Sequence, residues 1–326
     1  MSRLAASRQA IVPANDLVSP VTARVRPDPV AVADGAPDCG RLWALCLEAA
    51  RRRRAKVPPA ALLAADETGP SAGIAWRGSE GWSLEGEWSP QAHELFALYR
   101  PLISLGHGRR FVIGHLAQSL DGRIATSTGD SCYITGTQNL AHMHRLRALC
   151  DAVLVGAGTV IADDPQLTTR LVPGPDATRV VLDPSARLQP RHRVCSDPRS
   201  PTLVARYPDA AGGSGERCGL AEVIAAPRDD NGIDLHSLLE LLGQRGLHAI
   251  LVEGGGITVS RFLEQRLLDR LQVAVAPVII GSGRQGLQLP EVLALADCLR
   301  PACRQHVMGE DVLWDLELPS GAPAPG

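Results

Sequence analysis

Residues 151–170, DAVLVGAGTVIADDPQLTTR, constrain the fold more than any other stretch, because a strand pattern, a glycine turn, a short helix and a carboxylate-to-arginine segment follow one another directly. The unbroken apolar run 152–155 suits a strand covered on both faces, although so short a run also fits a buried helix segment. Gly156, Ala157, Gly158 and Thr159 then offer what a phosphate needs: open backbone N–H groups, a hydroxyl and the positive end of the next helix. Pro165 biases Asp164 away from helical dihedrals, so the helix is expected to stop there. The chain beyond it is expected to run extended and to present Asp163, Leu167 and Arg170 near the carboxyl end of the strand. A lone GxG is also an ordinary turn, and Asp-Asp-Pro an ordinary helix stop. The rest of the chain has to decide between these readings.

A length of 326 residues predicts two domains, or one with a sizeable appendage. The hydrophobic fraction of 45% can fill a real core, and a net charge of −2 leaves no electrostatic footprint for nucleic acid. The dense basic run 51–54 ends an alanine-rich helical pattern and reads as a solvated helix C-terminus. Eight cysteines lie scattered without a CxxC pair, so neither a zinc site nor a disulfide framework is expected, and the thiols read as reduced. No apolar run reaches the ~18 residues of a membrane span and the N-terminus lacks the build of a signal peptide, so a cytoplasmic protein without a membrane partner is expected.

Residues 1–39 read as a flexible tail and 40–108 as a small accessory domain of unknown role. The latter has one helix, a Pro58-Pro59 stop, and Trp76, Trp82 and Trp88 among glycines, on strands or a hairpin. From residue 109 to 319 strand and helix patterns alternate, and 320–326 read as a disordered tail. Phe111 opens a strand, and Asp121 and Gly122 make a turn. Thr135 with Gln138 reads as a capping box ahead of a helix that carries Leu140, Met143, Leu146 and Cys150 as its apolar stripe. Asp234 caps a helix that stops at Gly246. A buried strand over 248–252 leads into Glu253, Gly254, Gly255 and Gly256, residues 271–280 form a long strand interrupted by Pro277, and 312–318 form the last. The alternation predicts an α/β sheet with helices on both faces. Two glycine turns, at 156–158 and 254–256, open onto helix N-termini and suit the two phosphates of a dinucleotide, although neither is a GxGxxG fingerprint.

Ser119-Leu120-Asp121-Gly122, Leu146-Arg147-Ala148, Gly158-Thr159, Asp163-Asp164-Pro165 with Leu167 and Arg170, Val252-Glu253-Gly254-Gly255 and Ala276-Pro277 together resemble the reductase half of the bifunctional riboflavin-biosynthesis deaminase/reductase. The resemblance covers about residues 110–318. It implies a dihydrofolate-reductase-like mixed sheet flanked by helices, and reduction of 5-amino-6-(5-phosphoribosylamino)uracil to its ribitylamino form by NADPH. Carried over position by position, it implies substrate contacts at Ser131, Arg147, Leu167, Arg170 and Glu253. It implies cofactor contacts at Ala117, Tyr133, Thr159, Asp163, Pro184, Gly255, Gly256, Ile257 and Thr258, joined by Gly156 and Gly158 of the first turn. Tyr133 stands where a tryptophan is expected and Pro184 where a serine is frequent. Ser185 and Arg187 are placed to meet a 2′-phosphate. Asp163 and Glu253 are the candidate catalytic carboxylates, Asp163 for proton delivery or for fixing the nicotinamide.

Bifunctional members of that family begin with a zinc deaminase that needs a His-x-Glu and a Pro-Cys-x-x-Cys pair, and neither pattern is present. A reductase without metal, fed by a separate deaminase and pairing as a homodimer, is therefore expected. Two other readings stay open: a paralogue acting on a related pterin or aminopyrimidine, and a non-catalytic nucleotide-binding protein.

Overall fold

The computed structural model describes residues 36–64, 72–131, 134–210, 215–230 and 232–319. Residues 1–35 of the tail expected over 1–39, the tail 320–326 and Tyr133 lie outside them; residues 37–39 are not tail but the first turn of a helix.

Helix α1 (Pro37–Arg54) starts on a proline, whose missing N–H costs nothing at a first helical turn, and buries Leu42, Trp43, Cys46 and Ala49. Strands β1 (Leu62–Leu63), β2 (Gly73–Trp76) and β3 (Trp82–Glu85) form a small antiparallel sheet. Trp76 and Trp82 therefore sit on a hairpin, where they pack edge to face at 5.6 Å, while Trp88 lies in the loop before the next helix. Ser89 caps α2 (Pro90–Ile103) by accepting the Ala92 N–H at 3.2 Å.

The main sheet begins with β4 (Phe111–Ser119). There follow β5 (Arg123–Thr126), α3 (Thr137–Leu149), β6 (Ala152–Gly156), α4 (Ala157–Asp163) and β7 (Thr178–Leu182). After a short α5 (Arg193–Ser196) come β8 (Thr202–Arg206), β9 (Arg217–Cys218) and β10 (Ala221–Ala225), then a two-residue ribbon of β11 (Arg228–Asp229) and β12 (Gly232–Ile233). The chain ends with α6 (Leu235–Gln244), β13 (Ala249–Glu253), α7 (Gly256–Glu264), β14 (Arg270–Ala276), β15 (Gly283–Gln285), β16 (Ala302–Met308) and β17 (Asp311–Glu317). Ten strands form one mixed sheet in the order β16-β17-β14-β4-β13-β6-β7-β8-β10-β9. Its centre, from β14 to β10, is parallel, and both edges are antiparallel.

Parallel strands need cover on both faces, and successive residues supply it. Ile113, Val153 and Leu251 face one side, where they pack with Leu146 and Leu149 of α3 and with Leu42, Trp43, Tyr99 and Leu102 of α1 and α2. Their neighbours Val112, Leu154 and Ile250 face the other side, against Leu238 and Leu242 of α6 and Phe262 of α7. The hydrophobic core thus runs without a break from the segment 40–108 into the sheet, and that segment is a layer laid over α3.

Several local expectations need correction. Arg53 and Arg54 are not solvated: Arg53 donates from Nη1 and Nη2 to both oxygens of Asp151 at 2.9 and 2.8 Å, and Arg54 Nε to Oδ1 at 3.0 Å. The Thr135–Gln138 capping box does not form, because Gly136 is the N-cap, its N–H goes to Asp311, and the Thr135 hydroxyl accepts from Asn139. The strand expected to reach residue 280 ends at Ala276, since Pro277 has no N–H for the ladder. Strand β16 had no apolar alternation to announce it; most of its residues are exposed at the sheet edge.

Candidate active site

Strands β4, β13, β6 and β7 run parallel, so their carboxyl ends meet at one edge of the sheet, and the loops leaving them face one another. They enclose an open cavity of about 770 Å³. The two glycine turns interlock at its floor. The Thr159 hydroxyl accepts the Gly255 N–H at 3.1 Å, a Cβ on Gly156 would come within 2.8 Å of Thr258 Oγ1, and Gly254 holds a φ of +99°. A side chain at Gly156 or Gly254 would push the turns apart.

Most of the expected site residues meet on this wall. Ser131, Arg147, Leu167 and Glu253 line the cavity, as do Ala117, Asp163 and Pro184. The turn residues Gly156, Gly158, Thr159, Gly255, Gly256, Ile257 and Thr258 line it too. Arg170 and Ser185 are exposed and do not belong to its lining. The apolar stripe of α3 divides: Leu140 and Met143 face the cavity while Leu146 is fully buried.

Arg147 and Glu253, both expected to touch substrate, hold each other. Arg147 donates from Nε and Nη2 to the two Glu253 oxygens, each at 2.8 Å, and from Nη1 to the Thr168 carbonyl at 3.1 Å. Both side chains are nearly buried, at 11% and 5% exposed. Such a fork-to-fork pair uses two of about four acceptor positions on the carboxylate, and leaves the others for a ligand's N–H groups. Leu167, nearly buried, sits in the left-handed region at φ +55°, a conformation worth roughly 1–3 kcal/mol of strain for such a residue and typical of positions fixed for a purpose. Asp164 at φ +39° ends α4 as Pro165 implied. The Arg170 backbone is held by its N–H to His144 Nδ1 at 2.8 Å. Partial burial and the neighbouring guanidiniums of Arg147 and Arg199 disfavour the Arg170 charge, a repulsion that a bound anion would relieve. Asp163 has its carboxyl raised above the usual range by lost hydration, with the Arg284 guanidinium opposing.

The sequence reading missed His115. It is buried on β4, in parallel register with Glu253, and lines the cavity. Asn139 donates its amide to Thr135 at 2.9 Å, so its oxygen accepts from His115 Nε2 at 3.2 Å. Burial, opposed by Glu253, lowers the His115 pKa to about 4. A neutral ring protonated on Nε2 presents Nδ1 as an acceptor. The available signal was a histidine inside an otherwise apolar strand, which must find a partner. Arg261 and Arg284, also on the wall, lie in sequence with no motif around them.

A description of the RibD C-terminal domain family matches residues 110–306. The chain belongs to that family. The RibD-type chain is 38% identical over 213 residues to the 2,5-diamino-6-ribosylamino-4(3H)-pyrimidinone 5′-phosphate reductase of Methanothermobacter thermautotrophicus, which covers 63% of this chain and 96% of that protein. It is 34% identical over 176 residues to the riboflavin biosynthesis protein RibD of Aquifex aeolicus, over 54% of this chain and 48% of the relative. It therefore spans about half of that RibD and nearly all of the archaeal reductase. The crystal structure of a deaminase/reductase from Thermotoga maritima superposes with a TM-score of 0.56 at 28% identity, over 70% of this chain and 62% of the other. The sheet is thus the dihydrofolate-reductase-like one that the resemblance implied. Among the described residues no helix is long and apolar enough to cross a membrane.

A reductase of this family implies a nicotinamide cofactor, and the wall fits one. A Cβ on Gly158 would meet nothing within 4 Å, so the backbone there lies open to a ligand, while Gly156 and Gly254 keep the neighbouring turn close. Arg187, Arg261 and Arg284 give the cavity a cationic lining suited to phosphates.

Proposed function

We propose that this chain reduces the ribosyl side chain of a phosphorylated aminopyrimidine, 5-amino-6-(5-phosphoribosylamino)uracil, to the ribitylamino form with NADPH, as a step of riboflavin biosynthesis. The observation that carries this reading is the half-satisfied Glu253 carboxylate, fixed by Arg147 on a cavity wall beside two interlocked glycine turns. A nucleotide-binding protein without chemistry has no use for a buried acceptor of this kind, which costs free energy unless a ligand meets it.

The cofactor, when bound, supplies a hydride to C1′ of the opened sugar. The residues of this chain do the rest. Glu253 accepts N–H groups of the pyrimidine and sets its orientation. Arg170 with Ser131 holds the phosphate, which fixes the far end of the ribose chain and brings C1′ to one place. Asp163, whose raised pKa lets it keep a proton closer to neutrality, holds or delivers that proton. Leu140, Met143, Val155 and Leu167 exclude water from the site. Gly255, Gly256, Ile257 and Thr258 receive the cofactor together with Ala117, Tyr133, Thr159 and Pro184, and Arg187 meets the 2′-phosphate. Deamination falls to a separate protein, and the enzyme works as a cytoplasmic homodimer.

A second reading concerns the order of steps. The archaeal relative, of which this chain spans 96%, is named for a 2,5-diamino pyrimidinone substrate, which carries an extra amino group in place of a carbonyl. Glu253 suits that group as an additional N–H donor. Assaying the purified protein with NADPH on both phosphoribosylamino-pyrimidines, with products identified by a mass gain of two hydrogens, separates the readings. Tight NADPH binding with turnover of neither substrate would sink both.

A further inference from the structure

Residues before 110 lie outside the matched family region, yet one of their side chains is tied by hydrogen bonds of assignable direction to a ring that packs on His115 of the cavity wall. Arg270 donates to Asp315 Oδ2 at 2.7 Å, and Gln272 Nε2 donates to Asp315 Oδ1 at 3.1 Å. The Gln272 oxygen must then accept, so His142 carries its proton on Nε2, 2.7 Å away. His142 Nδ1 is left as an acceptor, and Tyr99 Oη, at 2.7 Å, is its donor. Tyr99, His142, Gln272 and Asp315 are all at most 1% exposed, so no water competes for these bonds. Tyr99 is stacked on His142 with ring centroids 5.5 Å apart, and Trp43 of α1 backs it edge-on at 5.6 Å. The His142 ring lies 5.7 Å from that of His115, and Gln272 is the register neighbour of His115 on β14. His115 is therefore flanked by Asn139, which takes its Nε2 proton, and by an imidazole that cannot rotate.

The geometry points to the N-terminal layer as a working part of the reductase site: Tyr99 of α2 locks the His142 ring, and the locked ring holds His115 with Nδ1 turned to the substrate. Tyr99 and His142 are positioning residues. His115 is the group that meets the substrate, as a neutral acceptor for an O–H or N–H next to the group that Glu253 binds. Removing the Tyr99 hydroxyl leaves a buried imidazole nitrogen without its donor. Gln272 still fixes the tautomer, but the ring keeps only one of the two bonds that hold its orientation, and His115 loses the surface it leans on. The inference rests on the reductase reading only for its activity readout.

The test uses the full chain and its Tyr99→Phe variant, with two measurements. Nitrogen-15 spectra of histidine-labelled protein, assigned with a His142→Gln variant, are expected to show His142 as the Nε2–H tautomer in both proteins, with Nδ1 hydrogen-bonded in the wild type and shifted to the position of a free acceptor in Tyr99→Phe. Steady-state kinetics are expected to show kcat falling about tenfold with KM for NADPH unchanged, the mark of lost alignment at the reacting end alone. A folded Tyr99→Phe protein with wild-type kcat overturns the proposal. So does a wild-type spectrum with His142 protonated on Nδ1, a result that needs no activity.

Discussion

Two buried arginine–carboxylate pairs stand at opposite ends of the same strands, and they are built differently. Asp151 precedes β6 and Glu253 ends β13, and each is gripped by an arginine fork with bonds of 2.8–2.9 Å. Asp151 also accepts from Arg54 Nε and from the backbone N–H groups of His248 and Ala249, at 3.0, 3.0 and 2.8 Å. Its carboxylate is saturated. Glu253 accepts from Arg147 and faces a cavity with acceptor positions to spare. A buried carboxylate whose every lone pair is used ties elements together; one left half satisfied at the carboxyl edge of a parallel sheet is ready for a ligand.

The largest effect expected from this difference is on stability. Asp151→Asn removes the partner of two arginines that lie against the sheet and should cost about 3–5 kcal/mol in denaturant unfolding. Its KM values, measured on folded protein, should stay at those of the wild type, whereas Glu253→Gln should lose turnover. A Asp151→Asn protein of near-normal stability would reduce the N-terminal contact to ornament.

The pH dependence separates the two ends. Burial lowers the pKa of His115 to about 4 and that of His144 to about 3, and pushes His142 well below the ordinary value. A histidine lowered on folding is charged more readily unfolded, so its stabilisation is complete above pH ~6.5 and drains away as pH falls toward the folded pKa. From 6.5 to about 4, His115 alone is worth about 3 kcal/mol at ~1.36 kcal/mol per unit. Asp151 works lower: its arginines and amide donors outweigh burial and depress its carboxyl, so its contribution holds above pH ~3.9 and is lost as pH falls through the folded pKa. Denaturation between pH 7 and 4 should therefore show a slope that His115→Gln reduces by about one proton and that Asp151→Asn leaves alone. An unchanged slope in His115→Gln removes that ring from the buried, neutral set.

At the anion end, Arg170→Ala should weaken the phosphorylated substrate by about 1.5–3 kcal/mol and leave NADPH binding as it was. Equal losses for both ligands would move Arg170 out of the substrate site and leave its repulsion with Arg147 as a feature of the free protein.

Much of this edge was legible. The run 152–155, the glycines after it and Pro165 fixed a strand, a turn and a helix stop, because each acts within a few residues of itself. The same is true of Asp234 as a cap, whereas Asp121 also takes the N–H groups of Ile280 and Gly281, far along the chain. What stayed hidden depended on distant pairing. Four arginines in a row look alike whether solvated or docked, and Asp151 lies almost a hundred residues from Arg53 and Arg54. His115 meets Glu253 only because β4 and β13 are neighbours in the sheet, an order that no local pattern states. The segment 40–108 gave no sign in sequence of lying over α3, since its apolar residues look the same whether they close on themselves or on another layer.

The smallest effect concerns the cofactor. Arg187 lines the cavity on the loop after β7, and its backbone is pinned there: Asp183 accepts the N–H groups of Arg187 and Leu188 at 2.8 and 3.1 Å, and Ala186 takes a φ of +54°. Ser185 is exposed and outside the lining, so of the two residues expected to meet a 2′-phosphate the arginine is the better placed. The contact lies at the open rim, where water screens it, so it should be worth about 1 kcal/mol. The preference for NADPH over NADH in kcat/KM should then shrink about fivefold in Arg187→Ala and hardly at all in Ser185→Ala. The loss should appear in KM for NADPH, because an adenosine phosphate held far from the reacting carbon is bound equally in the ground and transition states. A ratio unmoved by Arg187→Ala would hand the 2′-phosphate to Arg261, whose Nη2 is anchored on the Ile233 carbonyl at 2.9 Å while its buried Nε has no hydrogen-bond partner among the described residues. In that event the same measurement on Arg261→Ala should show the loss.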